Sequence, residues 1–224
     1  MHLRSEDLLE ARQTGDAILR EVRKVIPAFL ERTDLPERGG ATTAYRATTR
    51  SELSELAKKY LPNKPENSSD DVKLLSYWPK DELKLVPEIL FEHTNLPLRT
   101  IRDEVSRWGE EQKREVIRTA IGERLNRRHK PGRACEIPHY EFEITADYGS
   151  FRDLQRHRMV DDLRWQPLHP DFGFEVPDLV TQAGCEDLFR QAFKASLLLY
   201  VAMATSHPVE AQYATLLGHR MRYQ

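Results

Sequence analysis

Cysteine is scarce: Cys135 and Cys185 are the only two, far apart and without a Cys-x-x-Cys spacing. That excludes a disulfide framework and a zinc knuckle as organising devices. Charge of one sign is lacking too. The chain holds 34 Lys and Arg against 36 Asp and Glu, a formal −2, so it has no global basic field of the kind non-specific nucleic-acid binders use. Any anion site must be local. Long apolar runs are missing as well. The longest, Ala195 to Ala204, is interrupted by Ser196 and falls well short of the ~20 residues a bilayer-spanning helix needs. The N-terminal "MHLRSEDLLEAR" alternates charges with leucines and has no uninterrupted apolar core of a signal peptide. A soluble, cytoplasmic protein with no membrane partner is the expectation. Gly-x-Gly-x-x-Gly, Walker, Gly-x-Ser-x-Gly and His-Glu-x-x-His patterns are all absent. His139, His169, His207 and His219 therefore read as core or surface histidines, and no metal is expected. Neither cysteine sits beside an evident base, so buried inert thiols are the simpler account.

What is present is helical periodicity with one change of period. Leu8, Leu9, Ala17, Ile18, Val22, Val25, Ile26, Phe29 and Leu30 recur mostly at three- and four-residue intervals, predicting a first helix that stops near "RTDLPERGG". "TTRSELSELAKKYL" predicts a second, short helix, and "PNKPENSSDD" a solvated linker. Residues 1–70 thus read as a helical arm and linker, and 71–224 as the main domain. There "VKLLSYW" is a brief apolar run, and "DELKLVPEILFEH" returns to helical spacing. "PLRTIRDEVSRWGEEQKREVIRTAIGERLNRR" continues with helices divided near Trp108-Gly109. "HYEFEITA" then alternates Tyr140, Phe142 and Ile144 with Glu141, Glu143 and Thr145, a strand with one buried face. Asp147 or Ser150 can cap a new helix carrying Arg156 to Arg158. A long helix is predicted over "EDLFRQAFKASLLLYVAMATS" and another from "PVEAQYATLLGHRMRYQ", a pattern with no stop signal at Gln224. The fold class expected is α+β: an antiparallel sheet built partly from 139–146, packed by long helices, with a helical N-terminal arm.

Two cationic clusters stand out. Arg156-His157-Arg158 is the first. Successive helical residues diverge by about 100°, so on a helix at least one of the three would face a cleft or an interface. There an unpaired guanidinium is costly and an anionic ligand would offset it. Arginine forks match phosphate and carboxylate. On composition alone, ion pairs with Asp153, Asp161 and Asp162 are the simpler explanation, and they also account for Asp161-Asp162. The second cluster is Arg124, Arg127, Arg128, His129, Lys130 and Arg133 around Pro131-Gly132. It reads either as a flexible anion cradle for a pyrophosphate or an RNA backbone, or as helix-end cations. Because the net charge is not basic, nucleic acid is not the expected partner.

"HYEFEITADYGSFRDLQRHRM", an alternating strand, a turn and an Arg-His-Arg helix, resembles the core of the flavin-dependent thymidylate synthases. "DVKLLSYWPKDELKLVPEILFEHTNLPL", "RRHKPGRACEIPHYEFEI" and "EAQYATLLGHRMRYQ" extend the likeness over residues 70–224, to the second domain of tandem members. The resemblance implies conversion of dUMP to dTMP, a methyltransferase activity with methylenetetrahydrofolate as carbon donor and reduced FAD, regenerated by NADPH, as hydride source. It implies no cysteine nucleophile, and subunits that share nucleotides at their interfaces, hence a homo-oligomer or association with a sister domain. By the same likeness Arg156, His157 and Arg158 would contact FAD, and Asp153, Leu154, Gln155 and Arg156 would line the dUMP site. No catalytic residue is assigned.

The likeness has gaps. The family follows Arg-His-Arg by seven residues, a serine and, two places on, an arginine; here those positions hold Gln166 and Leu168. Gln166 can still hydrogen-bond, whereas Leu168 cannot pair with phosphate. Gln212 stands where single-domain members have a dUMP-contacting arginine. The segment bearing an FAD-contacting asparagine and a further arginine would lie beyond Gln224, so the domain reads as cut short. An enzyme of reduced or partner-dependent activity is one expectation; a non-catalytic half that completes an assembly is the other.

Overall fold

The computed structural model describes residues 2–61, 71–157 and 160–224, the side chain of Asp34 excepted. Arg158, Met159 and the expected linker at 62–70 lie outside them. Helices α1 (Leu9–Val25), α2 (Pro27–Asp34) and α3 (Ala41–Tyr60) come first, followed by strand β1 (Val72–Trp78). Helices α4 (Val86–Phe91), α5 (Leu98–Ser106) and α6 (Glu110–Ile121) lead to β2 (His139–Asp147) and α7 (Tyr148–Leu154). Helices α8 (Asp178–Gln182) and α9 (Glu186–Ala204) precede β3 (Arg220–Tyr223). The class is α+β, with one antiparallel sheet in the order β1-β2-β3.

The chain forms two compact units. The first comprises residues 1–69, 146–157 and 166–221, the second residues 70–145, 158–165 and 222–224.

In the first unit the N-terminal helices are tied back on themselves by charge. Arg50 on α3 donates to the Ser5 carbonyl at 3.0 Å and pairs with Glu6 at 3.2 Å, while Arg4 meets Asp16 at 2.8 Å. The expected single first helix is interrupted at Ile26, where Pro27 has no N–H to continue the ladder and instead opens α2. The second helix is longer than predicted. The core of this unit is aromatic. Phe193 on α9 is buried, with ring centroids 4.0 Å from Phe174, 4.7 Å from Phe189 and 4.6 Å from the His219 imidazole. The Ser196 hydroxyl, one turn on and also buried, donates to the Ala214 carbonyl. Phe193, Ser196, Tyr200 and Met203 are the covered side of α9, at three- and four-residue spacing.

The helix expected from Pro208 onward is not formed. Glu210–Ala214 is a single 3₁₀ stretch, and the chain then extends into β3. Gly218 explains the change. A Cβ there would lie 2.7 Å from Phe193 Cζ, so the backbone passes directly over the ring, where pairing rather than helical packing satisfies it: Arg220 N–H donates to the Gly173 carbonyl at 2.9 Å.

The second unit is built on a small cluster, Val86, Ile101 and Val105, flanked by Leu90, Trp108, Val116 and Ile117. The spacing of Ile101 and Val105 puts both on one face of α5. The predicted break at Trp108-Gly109 separates α5 from α6, and the Gln112 side chain accepts the Gly109 N–H at 2.9 Å. Gly122, at φ 58°, closes α6 in a conformation that side-chain-bearing residues resist. The apolar run at 72–78 is a strand. It pairs antiparallel with β2, with Leu74 opposite Phe142 and Tyr77 opposite Tyr140, and an irregularity between Leu74 and Ser76. The alternation in β2 predicts the strand correctly and its buried face incorrectly: Tyr140 is 63% exposed while Thr145 is buried.

Candidate functional site

β2 and α7 make the strand-turn-helix unit that the sequence predicts. Asp147 adopts an extended backbone and its carboxylate accepts the Ser150 N–H at 2.8 Å and the Ser150 hydroxyl at 2.7 Å. This N-cap satisfies donors that the first helical turn leaves open. Two backbone bonds fix the turn as well, from Tyr148 N–H to the His219 carbonyl and from Gly149 N–H to the Leu217 carbonyl, both 2.9 Å. Phe151, 1% exposed, is the buried residue of α7, its ring 6.3 Å from that of Tyr148.

The helix ends at Leu154, before the cationic cluster rather than through it. Gln155 N–H still reaches the Phe151 carbonyl, but Arg156 N–H bonds to Asp153 and His157 N–H to Leu154, shorter loops that tighten the last turn. Arg156 and His157 are therefore displayed from a turn. Asp153, Gln155, Arg156 and His157 are all exposed, and Leu154 is half-buried. Arg156 pairs with Asp153, one of the three aspartates considered for it. The other two pair elsewhere: Asp161 lies 3.8 Å from His139, and Asp162 lies 3.0 Å from Arg164. Arg158 is outside the described residues.

Positions 166, 168 and 212 form a second group. Gln166 is exposed. Leu168 and Gln212 are joined: Gln212 Oε1 accepts the Leu168 N–H at 3.2 Å, while Gln212 Nε2 donates to the Val209 carbonyl at 3.0 Å. Both ends of the glutamine amide are thus engaged in holding the chain at Leu168. Among the described residues no hydrogen bond or ion pair links this group to the Arg156 turn.

The other candidates are placed less favourably. The stretch 124–133 follows α6 rather than ending it, which removes the helix-end explanation for its cations. His129 organises the loop: its carbonyl accepts from Arg124 at 2.6 Å and its Nδ1 accepts the Leu125 N–H at 3.3 Å. Cys135 and Cys185 are exposed free thiols, not buried ones. No group of three or more potential metal ligands occurs among the described residues. None of the described helices is long and apolar enough to cross a membrane. His219 is a core histidine. Burial pushes its imidazole below the usual histidine range, and the Leu216 N–H donates to Nδ1 at 2.9 Å, leaving the ring proton on Nε2.

No family model matches the chain. It is 29% identical over 222 residues to a UPF0159 protein of Chlamydia muridarum and 30% identical over 222 residues to one of Chlamydia pneumoniae. Each match covers 99% of this chain and 42% of the relative. A UPF0159 protein of Thermoplasma acidophilum is 37% identical over 99 residues, 43% of this chain and 20% of that protein. A solved structure described as a UMP/dUMP methylase PolB from Streptomyces cacaoi bound with 5-Br dUMP is similar at a TM-score of 0.47 and 15% identity, over 68% of this chain and 69% of that one. The chain spans less than half the length of the Chlamydia proteins it resembles.

Proposed function

We propose that this chain is part of a tandem flavin-dependent thymidylate synthase, converting dUMP to dTMP, and that its Arg156 turn binds a nucleotide. The observation that carries the reading is the presentation of Arg156 and His157 from an Asp147-capped strand-turn-helix unit, in the sequence context "HYEFEITADYGSFRDLQRHRM". That the matched relatives are more than twice as long as the chain agrees with a tandem arrangement.

The donor set at the turn fits a phosphorylated cofactor such as FAD. Arg156 offers a planar fork of five N–H donors, of which Asp153 engages part, and His157 stands beside it in solvent. When bound, reduced FAD would supply the hydride and methylenetetrahydrofolate the carbon, with NADPH restoring the flavin. The chain's own contribution is to bind and orient. Arg156 would exchange its Asp153 contact for phosphate oxygens, and by the family likeness Asp153, Leu154 and Gln155 would line the dUMP site. At the second group the fit is poorer. Leu168 supplies no charge and the Gln212 amide is already spent, whereas a charge-assisted phosphate contact contributes about 1.5–3 kcal/mol.

That deficit favours a second reading, in which this chain is the non-catalytic half and a sister domain or another copy completes the site. Titrating the 224-residue chain with FAD, with and without dUMP, tests the first reading. Saturable flavin binding that dUMP perturbs and that Arg156→Leu weakens at least ten-fold is expected. Absence of flavin binding, or binding indifferent to Arg156→Leu, overturns it. Thymidylate formation by the chain alone eliminates the second.

A further inference from the structure

A cavity of about 570 Å³ lies wholly within the second unit, between the end of β1 and helices α4, α5 and α6. That volume is within the ~300–1,000 Å³ typical of small-molecule sites. Its lining combines the indole of Trp78, 55% exposed, with the apolar side chains of Leu85 and Val105. The charges around it are unevenly matched. Glu88 is committed to Arg102, accepting its Nε at 3.1 Å and an Nη at 2.5 Å. Asp81 accepts the Leu83 N–H at 2.9 Å and keeps its negative charge, so that Arg102, Lys84 and Lys113 face the two carboxylates Glu88 and Asp81. Lys84 and Lys113 line the same cavity and have no carboxylate partner among the described residues.

Lys113 is the informative one. It is half-buried and sits in the first turn of α6, where the exposed N–H groups carry positive partial charge and disfavour a cation. The two carboxylates that open α6 do not relieve it, because Glu110 pairs with Arg114 and Glu111 with Arg118. An ammonium without an ion pair in that position gains from an anion that shares the cavity.

We infer that this cavity is a binding site for a small aromatic anion, a planar ring seated against Trp78 and the apolar lining with its carboxylate or phosphate at Lys113 and Lys84. Trp78 supplies a stacking face and a large apolar contact; the lysines discriminate in favour of negative charge. The site is separate in sequence from the Arg156 turn and does not depend on the flavin reading.

The test uses ¹⁵N-labelled full chain and the indole N–H resonances of its three tryptophans, with Trp78→Phe assigning the relevant peak. The probes are 2-naphthoate, 2-naphthyl phosphate and the neutral 2-naphthamide. Either anion is expected to shift the Trp78 resonance saturably while leaving Trp165 in place, and whichever binds more tightly identifies the preferred head group. The amide is expected to bind roughly ten-fold more weakly, Lys113→Met to lower anion affinity by roughly the same factor, and Lys113→Arg to retain it. Lys84→Met gives a second reading should Lys113→Met fail to fold. Equal binding of amide and anions, no loss in folded Lys113→Met or Lys84→Met, or no Trp78 shift at millimolar probe would overturn the assignment.

Discussion

Gly218 leaves no space for a side chain, since Phe193 Cζ would stand 2.7 Å from an added Cβ. The phenyl ring cannot swing aside, because Phe174 stacks on it and it is itself 4% exposed. Gly218→Ala is therefore expected to cost about 1–3 kcal/mol, the usual penalty of overpacking, read as a lowered urea midpoint with unchanged slope. Its neighbour His219 makes stability pH-dependent. Burial depresses the folded-state pKa, so as pH falls below the unfolded value of about 6.5 the unfolded chain binds the proton first. The contribution of His219 is complete above that value and is lost as pH drops from there toward the folded pKa. His219→Asn keeps an acceptor for the Leu216 N–H but cannot titrate. Urea midpoints measured from pH 7.5 to 5 should fall more steeply for the native chain than for this variant; parallel slopes would show that His219 is not the group responsible. Neither role is visible in the string "LLGHRMRYQ", whose apolar spacing also suits a helix. The contacts with Phe193, a helix away in sequence, decide the matter. Gln212 teaches the same lesson at the candidate site. The sequence offers it only as a glutamine where the resemblance leads one to expect an arginine, whereas the structure shows its amide bridging Leu168 and Val209.

Among the elements, the strand-turn-helix unit was the most legible, because its signals are local: alternation for β2 and an aspartate three residues before a serine for the cap. Replacing that cap by Asp147→Ala should cost about 1 kcal/mol, within the range for losing an N-cap acceptor. If the turn positions Arg156 for a nucleotide, the same change should weaken flavin binding, measured in the same titration as Arg156→Leu. An unchanged affinity alongside a lowered urea midpoint would separate the cap's structural role from any role in the site. Where the deciding contacts are not local, the sequence pattern points elsewhere. Nothing in "FRDLQRHRM" breaks helical periodicity, so the sequence predicts a helix through Arg-His-Arg, yet α7 closes at Leu154 with tightened bonds at Arg156 and His157. "VKLLSYW" is too short for periodicity to type it, with Lys73 and Ser76 breaking any strict alternation, and its pairing with β2 makes it a strand. Alternation in "HYEFEITA" reveals a strand but not which face will be covered.

For the whole molecule, the notable quantity is apolar surface left uncovered. On α9 the covered stripe through Phe193 and Ser196 leaves Leu197, Leu198, Leu199 and Val201 at 42–62% exposure, and on the sheet Val72, Leu74, Tyr140 and Phe142 remain 39–63% exposed. Composition alone cannot register this, since a 39% hydrophobic content is the same whether its side chains are covered or not. Contiguous exposed apolar side chains are the usual mark of association surfaces, and the proposed thymidylate synthase assembly needs such surfaces to complete a site that Leu168 and Gln212 leave short of phosphate contacts. Sedimentation velocity on the 26.1 kDa chain should accordingly detect species of at least twice that mass at micromolar concentration. Leu198→Glu with Val201→Glu, placed one helical turn apart on solvent-facing positions, should return the chain to monomer with its far-ultraviolet circular dichroism intact; Tyr140→Glu with Phe142→Glu asks the same of the sheet. Dissociation by only one pair would identify which face associates. A native chain that remains monomeric at 100 μM would overturn self-association through these faces and leave a sister domain as the partner to test.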